Sequence, residues 1–370
     1  MHKMAQSTGD RLNLFSQNRV FLTMVAGGTH AQILAFAGYL PEKEILTESF
    51  AKLGDLPASI EFKRLTGINA HREAAEDEGS LELALKAGQK ALERCGIPRE
   101  EIDLVISCSV SQLSPELHQH ISPSFATSIA EHLGIYDAQT FDVANACSSM
   151  MTSLMIAEAK IKAGKIRHAL IVSGEHITSL IDEAKSKNLW LHSKAIASMT
   201  VGDGAAAYVV GPSKDATRMT FSEPFTFAQY NNHCIGEASR ERPGPRMRTK
   251  AKQLQLGVLD NLSEFLQRSM KHMELEWSSI DHVYSHPTTP KAVKKGAKIA
   301  EDSVGAIKFL HNDSQNIGNT ASTSHGVLLE ISREAGHLKE DETAILVSFG
   351  SGLAMLAMHF HLPKGVEGWS

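Results

Sequence analysis

Cys147 lies in Phe141-Asp-Val-Ala-Asn-Ala-Cys147-Ser-Ser-Met150, where a strand-like run gives way to a helix of small residues. A thiol in the first turn of a buried helix feels the positive end of the helix dipole and the unpaired N–H groups there. Both favour the thiolate, the nucleophilic form. The position also suits a packed small hydrophobe, because free cysteine is among the most buried residue types. His286 follows Val283-Tyr-Ser and precedes Pro287, which puts it at the C-terminal end of a strand. Ligand sites of α/β sheets gather at such ends. A cysteine nucleophile needs a group that stabilises or accepts its proton, and histidine suits that task. Asn319 follows Gly318 at the start of the next unit. A histidine N–H and an asparagine NH₂ can both donate to an enolate oxygen. In Gly350-Ser-Gly352 the backbone N–H of Gly352 is placed to join that of Cys147 in an oxyanion hole.

The elements that must carry these residues occur twice. Leu81 to Arg94 has helical period and leads through Pro98-Arg-Glu-Glu into the strand Ile102-Asp-Leu-Val-Ile-Ser. Leu254 to Leu266 has the same period and leads through Glu276-Trp-Ser-Ser into Ile280-Asp-His-Val-Tyr-Ser. Small-residue helices then follow at Cys147 and Asn319, and apolar strands at Ala169–Gly174 and Ala344–Gly350. Ile102 and Ile280 are 178 residues apart, Cys147 and Asn319 172, and Ile171 and Ile345 174. This constancy implies two duplicated halves. Strand–helix alternation implies mostly parallel sheets covered by helices. About a pseudo-twofold axis, Cys147 and Asn319 would stand at two opposed helix starts. Gly211-Pro-Ser-Lys-Asp215 marks the boundary, giving halves 29–212 and 213–370, with 1–28 as an N-terminal extension.

Composition narrows the rest. The 370 residues are 42% hydrophobic and 21% charged, an ordinary globular balance, and the net charge of −5 argues against a nucleic-acid-binding role. Four cysteines without C-x-x-C spacing fit a reducing cytoplasm better than a disulfide framework. No apolar run approaches the roughly 18 residues of a membrane span. His118-x-His120 and His359-x-His361 lack a nearby metal-ligand set, so no metal is expected and both pairs are read as surface residues. Arg240, Arg242, Arg246, Arg248 and Lys250 make a basic loop, either simply solvated or touching a phosphate-bearing carrier.

Asp-Val-Ala-Asn-Ala-Cys147, then Ser-His286-Pro-Thr-Thr, then Ile-Gly-Asn319-Thr-Ala-Ser, then Ser-Phe-Gly-Ser-Gly352, appear in an order that resembles the β-ketoacyl-ACP synthase III branch of the thiolase superfamily. Ala37-Gly-Tyr-Leu-Pro41 and Gly202-Asp-Gly-Ala-Ala-Ala207 extend the likeness over about residues 29–360. The resemblance implies a five-layered αβαβα fold, a homodimer, and no cofactor beyond the acyl-CoA or acyl-carrier-protein substrates. It implies an acyl thioester on Cys147, then decarboxylation of a malonyl-type extender while His286 and Asn319 hold the enolate oxygen. Cys147 and Gly352 would form the oxyanion hole. Thiolases use a second C-terminal cysteine, elongating synthases a second histidine at the Asn319 position, and plant-type polyketide synthases a Gly-Phe-Gly-Pro-Gly ending.

Departures from the pattern shape the expectations. Thr289 stands where the family has an amide that touches pantetheine. The family's Trp and Arg for the CoA adenine fall near Glu61 and Leu65, with Arg64 one position away. Ile121 replaces a larger residue that crosses the dimer into the acyl pocket, which would admit a longer or branched chain. Ser122 stands where the head-to-head condensing enzymes of olefin biosynthesis carry a glutamate base. By analogy Lys291 would dock an acidic carrier protein, with Lys294, Lys295 and Lys298 on the same helix; the alternative is an ordinary solvated helix face. Two other functions fit the sequence: acyl transfer to an alcohol or amine without carbon–carbon bond formation, and a non-catalytic partner subunit of a heterodimeric synthase.

Overall fold

The computed structural model describes residues 29–49, 62–185, 194 and 196–369. The extension 1–28 and Glu61 lie outside the described residues. In the first half the strands are β1 (His30–Tyr39), β2 (Lys43–Leu46), β3 (Ala70–Glu73), β4 (Ile102–Ser107), β5 (Gln139–Asp142), β6 (His168–Glu175) and β7 (Gly204–Ser213). The second half has β8 (Met219–Phe221), β9 (Phe225–Thr226), β10 (Cys234–Ala238), β11 (Pro245–Thr249), β12 (His282–Ser285), β13 (Phe309–His311), β14 (Thr343–Gly350) and β15 (Ala354–His361). The main sheets run β1-β7-β6-β4-β5 and β13-β12-β14-β15-β8, with β9 beside β15; β2–β3 and the β10–β11 hairpin are separate two-stranded sheets.

Both sheets are mixed rather than mostly parallel. β4 is parallel to β5 and β6, but β7 runs antiparallel to β6 and β1. β12 is parallel to β13 and β14, but β15 runs antiparallel to β14 and β8. In the second sheet the reason is connection length: β14 returns into β15 through a three-residue turn, too short for a parallel crossover.

The helices, in chain order, are α1 (Phe62–Thr66), α2 (Ser80–Cys95), α3 (Phe125–His132), α4 (Ser149–Lys162), α5 (Ser179–Lys185), α6 (Ala251–His272), α7 (Pro290–Val304), α8 (Ser314–Ile317) and α9 (Ser324–Glu334). Period-two burial sorts them into layers. Val105, Leu170, Val172, Ala207 and Val209 face α2 and α3 through Leu83, Ala87, Leu92 and Ile129. Alternating with them, Leu104, Ile106, Ile171 and Tyr208 face Met151 and Leu154 of α4 and Val327 and Leu328 of α9. The same core takes Leu346, Leu356 and Met358 from the second sheet. Ile345, Val347 and Met355 face outward to Phe265 and Leu266 of α6 and Ala300 of α7. The result is a five-layered αβαβα sandwich whose central layer is α4 and α9. Each such buried aliphatic side chain contributes about 1.5–3 kcal/mol.

The helical period read over 81–94 corresponds to α2, which starts with Glu82 accepting from the Gly79 N–H at 2.8 Å and stops at Gly96, φ 64°. Arg94 of α2 makes a two-pronged ion pair with Glu330 of α9, at 2.6 and 2.8 Å, tying the two halves together. One of the two histidine pairs departs from the surface reading. His359 and His361 do share one face of β15, with ring centroids 5.5 Å apart, but His359 is only 2% exposed because β15 is covered on both faces. His118 and His120 lie in a loop, where His120 packs edge-on against Phe125 at 5.2 Å.

Candidate active site

The small-residue turn before α4 is a single turn of 3-10 helix, Ala146–Ser148, and α4 proper begins at Ser149. Cys147 thus stands before the helix, not in its first α turn. Ala146 is held at φ 48°, a left-handed conformation that L residues avoid. The turn is fastened by Ser148 N–H to Asn145 O at 3.0 Å, Asn145 N–H to Ser149 Oγ at 2.8 Å and Ser149 Oγ to Ala146 O at 2.7 Å. Cys147 is partly exposed. Burial pushes its thiol well above the ordinary cysteine range, and charge at Cys234 or Glu175 pushes it further the same way. Burial therefore opposes the thiolate that the helix start favours.

The second half repeats this turn at Ala321–Thr323, with Ala321 at φ 50°. Ala146 and Ala321, the starts of α4 and α9 at 149 and 324, and the starts of β6 and β14 at 168 and 343 are each 175 residues apart. The backbone equivalent of Cys147 is therefore Ser322, and Asn319 corresponds to Ala144. The pairing of Cys147 with Asn319 at two opposed helix starts is corrected by three residues. The two 3-10 turns do pack against each other.

Asn319 is fixed by a motif whose role was not apparent from spacing. Its N–H donates to Thr200 O at 2.8 Å, and its carbonyl accepts from Gly202 N–H at 3.1 Å. A Cβ on Gly202 would lie 2.1 Å from Ile317 O, so only glycine permits this approach. Asp203, fully buried, accepts from Ala74 N, Ile177 N, Thr178 N and Thr178 Oγ1 and holds the Gly-Asp-Gly turn in place. The Asn319 side chain then accepts, through Oδ1, from Ala321 N–H at 3.0 Å. That bond orients the amide, leaving NH₂ as the outward donor.

His286 is buried at the end of β12, its N–H donating to Val347 O at 2.8 Å. Burial lowers its pKa to about 3, with His325 adding to the effect, so the imidazole is neutral. Nδ1 of His286 is buried with no partner among the described residues. His325 of α9 also contacts Val347 O through Nε2, at 3.1 Å.

Val347 and Ser348 join these parts. Val347 O holds His286 and His325, while the next residue, Ser348, bonds Ser148 Oγ at 2.9 Å and reaches Cys147 O at 3.5 Å. Gly350 completes the approach: a Cβ there would meet Asn145 O and Ser148 Oγ, each at 2.8 Å. Gly352 lies in the β14–β15 turn at φ 135°, a conformation reserved for glycine. Ser348, Gly350 and Gly202 stand in the Ser-Phe-Gly-Ser-Gly and Gly-Asp-Gly runs noted in the sequence, but their positioning roles were not legible there.

Glu175 was also missed. It is a lone carboxylate ending the apolar strand β6, fully buried, and burial raises its pKa against the hydrogen bonds that lower it. It accepts from Val110 N, Ser111 N and Ser111 Oγ at 2.9–3.0 Å and closely from Ser322 Oγ.

The outer candidates are dispersed. Thr289 caps α7 by accepting from Ala292 N–H at 3.2 Å. Lys291 donates from Nζ to the Arg64 carbonyl, joining α7 to α1, and Lys294 is exposed. Ile121 is 87% exposed in the loop before α3. Among the described residues no cluster suits a metal ion, and no helix is long and apolar enough to cross a membrane.

Residues 141–224 match the 3-oxoacyl-[acyl-carrier-protein (ACP)] synthase III family, and residues 270–362 match the 3-oxoacyl-[ACP] synthase III C-terminal family. The chain is 26% identical to the β-ketoacyl-[acyl-carrier-protein] synthase III of Chlamydia pneumoniae over 336 residues, covering 88% of this chain and 94% of that one. It is 27% identical to the corresponding protein of Aliarcobacter butzleri, covering 88% and 95%. Among solved structures it is similar to the priming β-ketosynthase of the R1128 polyketide pathway, with TM-score 0.78 and 24% identity over 90% of this chain and 96% of that one. OleA of Xanthomonas campestris, known with bound lauric acid and lauroyl-CoA, gives TM-score 0.76 and 21% identity, covering 90% and 99%.

Proposed function

Because the chain belongs to the β-ketoacyl-ACP synthase III-like family of thiolase-fold condensing enzymes, we propose that it loads an acyl group on Cys147 and condenses it with a malonyl-type extender, with loss of CO₂. The observation that carries this reading is the Asn319 amide, whose Oδ1 is occupied by the Ala321 N–H so that its NH₂ is presented. A fixed NH₂ and a neutral imidazole are each suited to stabilising an enolate oxygen. The backbone N–H groups of Cys147 and Gly352 are assigned to the thioester oxygen.

In this mechanism the Cys147 proton leaves as sulfur attacks the donor thioester, and the CoA or carrier thiol departs. The extender's carboxylate leaves as CO₂, its electron pair forms the enolate, and the enolate carbon attacks the Cys147 thioester. Thiolate is released from Cys147 with the β-keto product. We further propose a homodimer in which Ile121 covers the partner's acyl pocket; its exposure supports this.

Intact-mass spectrometry after exposure to acyl-CoAs and acyl-carrier proteins, followed by addition of malonyl-carrier protein, tests the reading. The expected result is an acyl adduct on Cys147, then a β-keto product and CO₂. An adduct that yields only an ester or amide with an added alcohol or amine would establish acyl transfer instead.

A further inference from the structure

Glu175 is a buried carboxylate to which the condensation scheme gives no task. It ends β6, and four donors meet its two oxygens. Oε1 accepts from Val110 N–H at 2.9 Å and closely from the Ser322 hydroxyl. Oε2 accepts from Ser111 N–H at 3.0 Å and from the Ser111 hydroxyl at 2.9 Å. Each oxygen thus takes one backbone N–H and one hydroxyl. An amide cannot reproduce that pattern, because an NH₂ on either side would face a backbone N–H.

The donors come from two places. Val110 and Ser111 follow β4 in the first half, and that loop is held further by Gly174 N–H to Ser109 Oγ at 3.1 Å and His176 N–H to Ser111 Oγ at 3.0 Å. Ser322 lies in the second half, in the Ala321–Thr323 turn, next to the Ala321 N–H that occupies Asn319 Oδ1. The other side-chain bonds of 320–324 stay inside that segment: Thr320 Oγ1 to Ser324 Oγ, Thr323 Oγ1 to Thr320 O and Ser324 Oγ to Ala321 O. They fix the shape of the turn but not its place. Ser322 fixes the place, through Glu175 and through Ser173 Oγ at 2.8 Å. The Cys147 turn is fastened separately, by the bonds between Asn145 and Ser149 and by Ser148 to Ser348.

We propose that Glu175 is a positioning residue: through Ser322 it sets where the Ala321 N–H holds the Asn319 amide, and so governs the decarboxylating step and not the acylation of Cys147. The assignment rests on the proposed enolate role of Asn319.

Ser322→Ala breaks the link at one small side chain, and Glu175→Gln breaks it at the carboxylate. Intact mass times the acylation of Cys147 by acyl-CoAs and acyl-carrier proteins; CO₂ release by the acylated enzyme with malonyl-carrier protein times the second step. Ser322→Ala should lower kcat of the second step about tenfold or more, with KM for malonyl-carrier protein and the acylation rate within about twofold of the unaltered chain. Added to Asn319→Ala, it should slow CO₂ release no further, because the link acts through that amide. A further loss in that background, equal slowing of both steps, or an unslowed second step in Ser322→Ala or in a folded Glu175→Gln overturns the proposal. If the unaltered chain acylates but releases no CO₂, the condensation fails, and the placement is read directly. The Asn319 NH₂ resonance, identified by its loss in Asn319→Ala, should then shift in Ser322→Ala; an unshifted resonance overturns the positioning role.

Discussion

Ala146 and Ala321 hold nearly the same left-handed backbone angle, φ 48° and 50°, each opening the turn that precedes a central helix. A left-handed L residue costs about 1–2 kcal/mol. That cost persists only where the surroundings over-determine the conformation. Around Ala146 the serine and asparagine bonds of 145–149 do so. Ala146→Gly should remove the strain, leaving the melting temperature equal or higher. The looser turn should slow acylation of Cys147 by about tenfold, in keeping with the cost of mispositioning a reacting atom. Scanning calorimetry and time-resolved intact mass read the two effects, and a lowered melting temperature would contradict the strain.

Gly350 and Gly352 need glycine for different reasons. Gly350→Ala puts a methyl 2.8 Å from Asn145 O and Ser148 Oγ, so the nucleophile turn must retreat from β14. Overpacking of that kind costs about 1–3 kcal/mol, with acylation of Cys147 falling more than tenfold. Gly352→Ala meets no atom within 4 Å, but φ 135° opposes it. Its smaller stability loss, read by urea denaturation, should come with impaired turnover if the 352 N–H serves the thioester oxygen.

The titration of the site should divide by step. Burial holds the Cys147 thiol above the ordinary cysteine range, so its alkylation by iodoacetamide should still be accelerating above pH 9. A plateau near pH 7 would show a thiolate already formed. His286 stays neutral down to about pH 3, so decarboxylation by pre-acylated enzyme should show no acid limb between pH 5 and 8. An inflection near pH 6.5 would mean that the imidazole is far less buried.

Acid should unfold the chain in two stages. Burial lowers His286 and His311 to about 3, and His325 and His359 to about 4, whereas the unfolded chain protonates them near 6.5. The unfolded state therefore binds more protons below that pH, and stability falls as pH drops through 6.5 towards 3. Glu330 adds a second slope. Burial pushes its carboxyl up, but Arg94, Arg333 and Lys90 outweigh it and bring the pKa to about 2. Its contribution, on the order of 3 kcal/mol, is complete above the ordinary carboxylate value and is lost as pH falls from about 4.5 to 2. Glu330→Gln should remove the lower slope and spare the upper one in pH-dependent denaturation curves.

Period and repetition made the elements legible. α2 and α6 carry helical stripes, and β4, β6 and β14 are short apolar runs, so the alternation predicted two αβ halves. Strand direction was less accessible, because β7 and β15 are as apolar as their parallel neighbours and direction depends on how the chain returns. The register between halves was missed by three residues because Cys147 and Asn319 attract attention as chemical groups. The repeated backbone instead matches Cys147 to Ser322, an inconspicuous residue. Cys147, His286 and Asn319 stood out by motif. Ser348 and Glu175 did not, since their importance comes from partners 200 and 147 positions away in sequence.

The Ser322 hydroxyl is engaged by Glu175 and by Ser173 Oγ at 2.8 Å. The molecule is therefore symmetric as a scaffold and polarised as a reagent. One elbow presents sulfur, and its twin is knotted into a carboxylate that anchors the loop at Val110 and Ser111. A thiol grafted onto the twin would face a buried acid and remain inert, so reactivity here depends on what surrounds an elbow as much as on its shape.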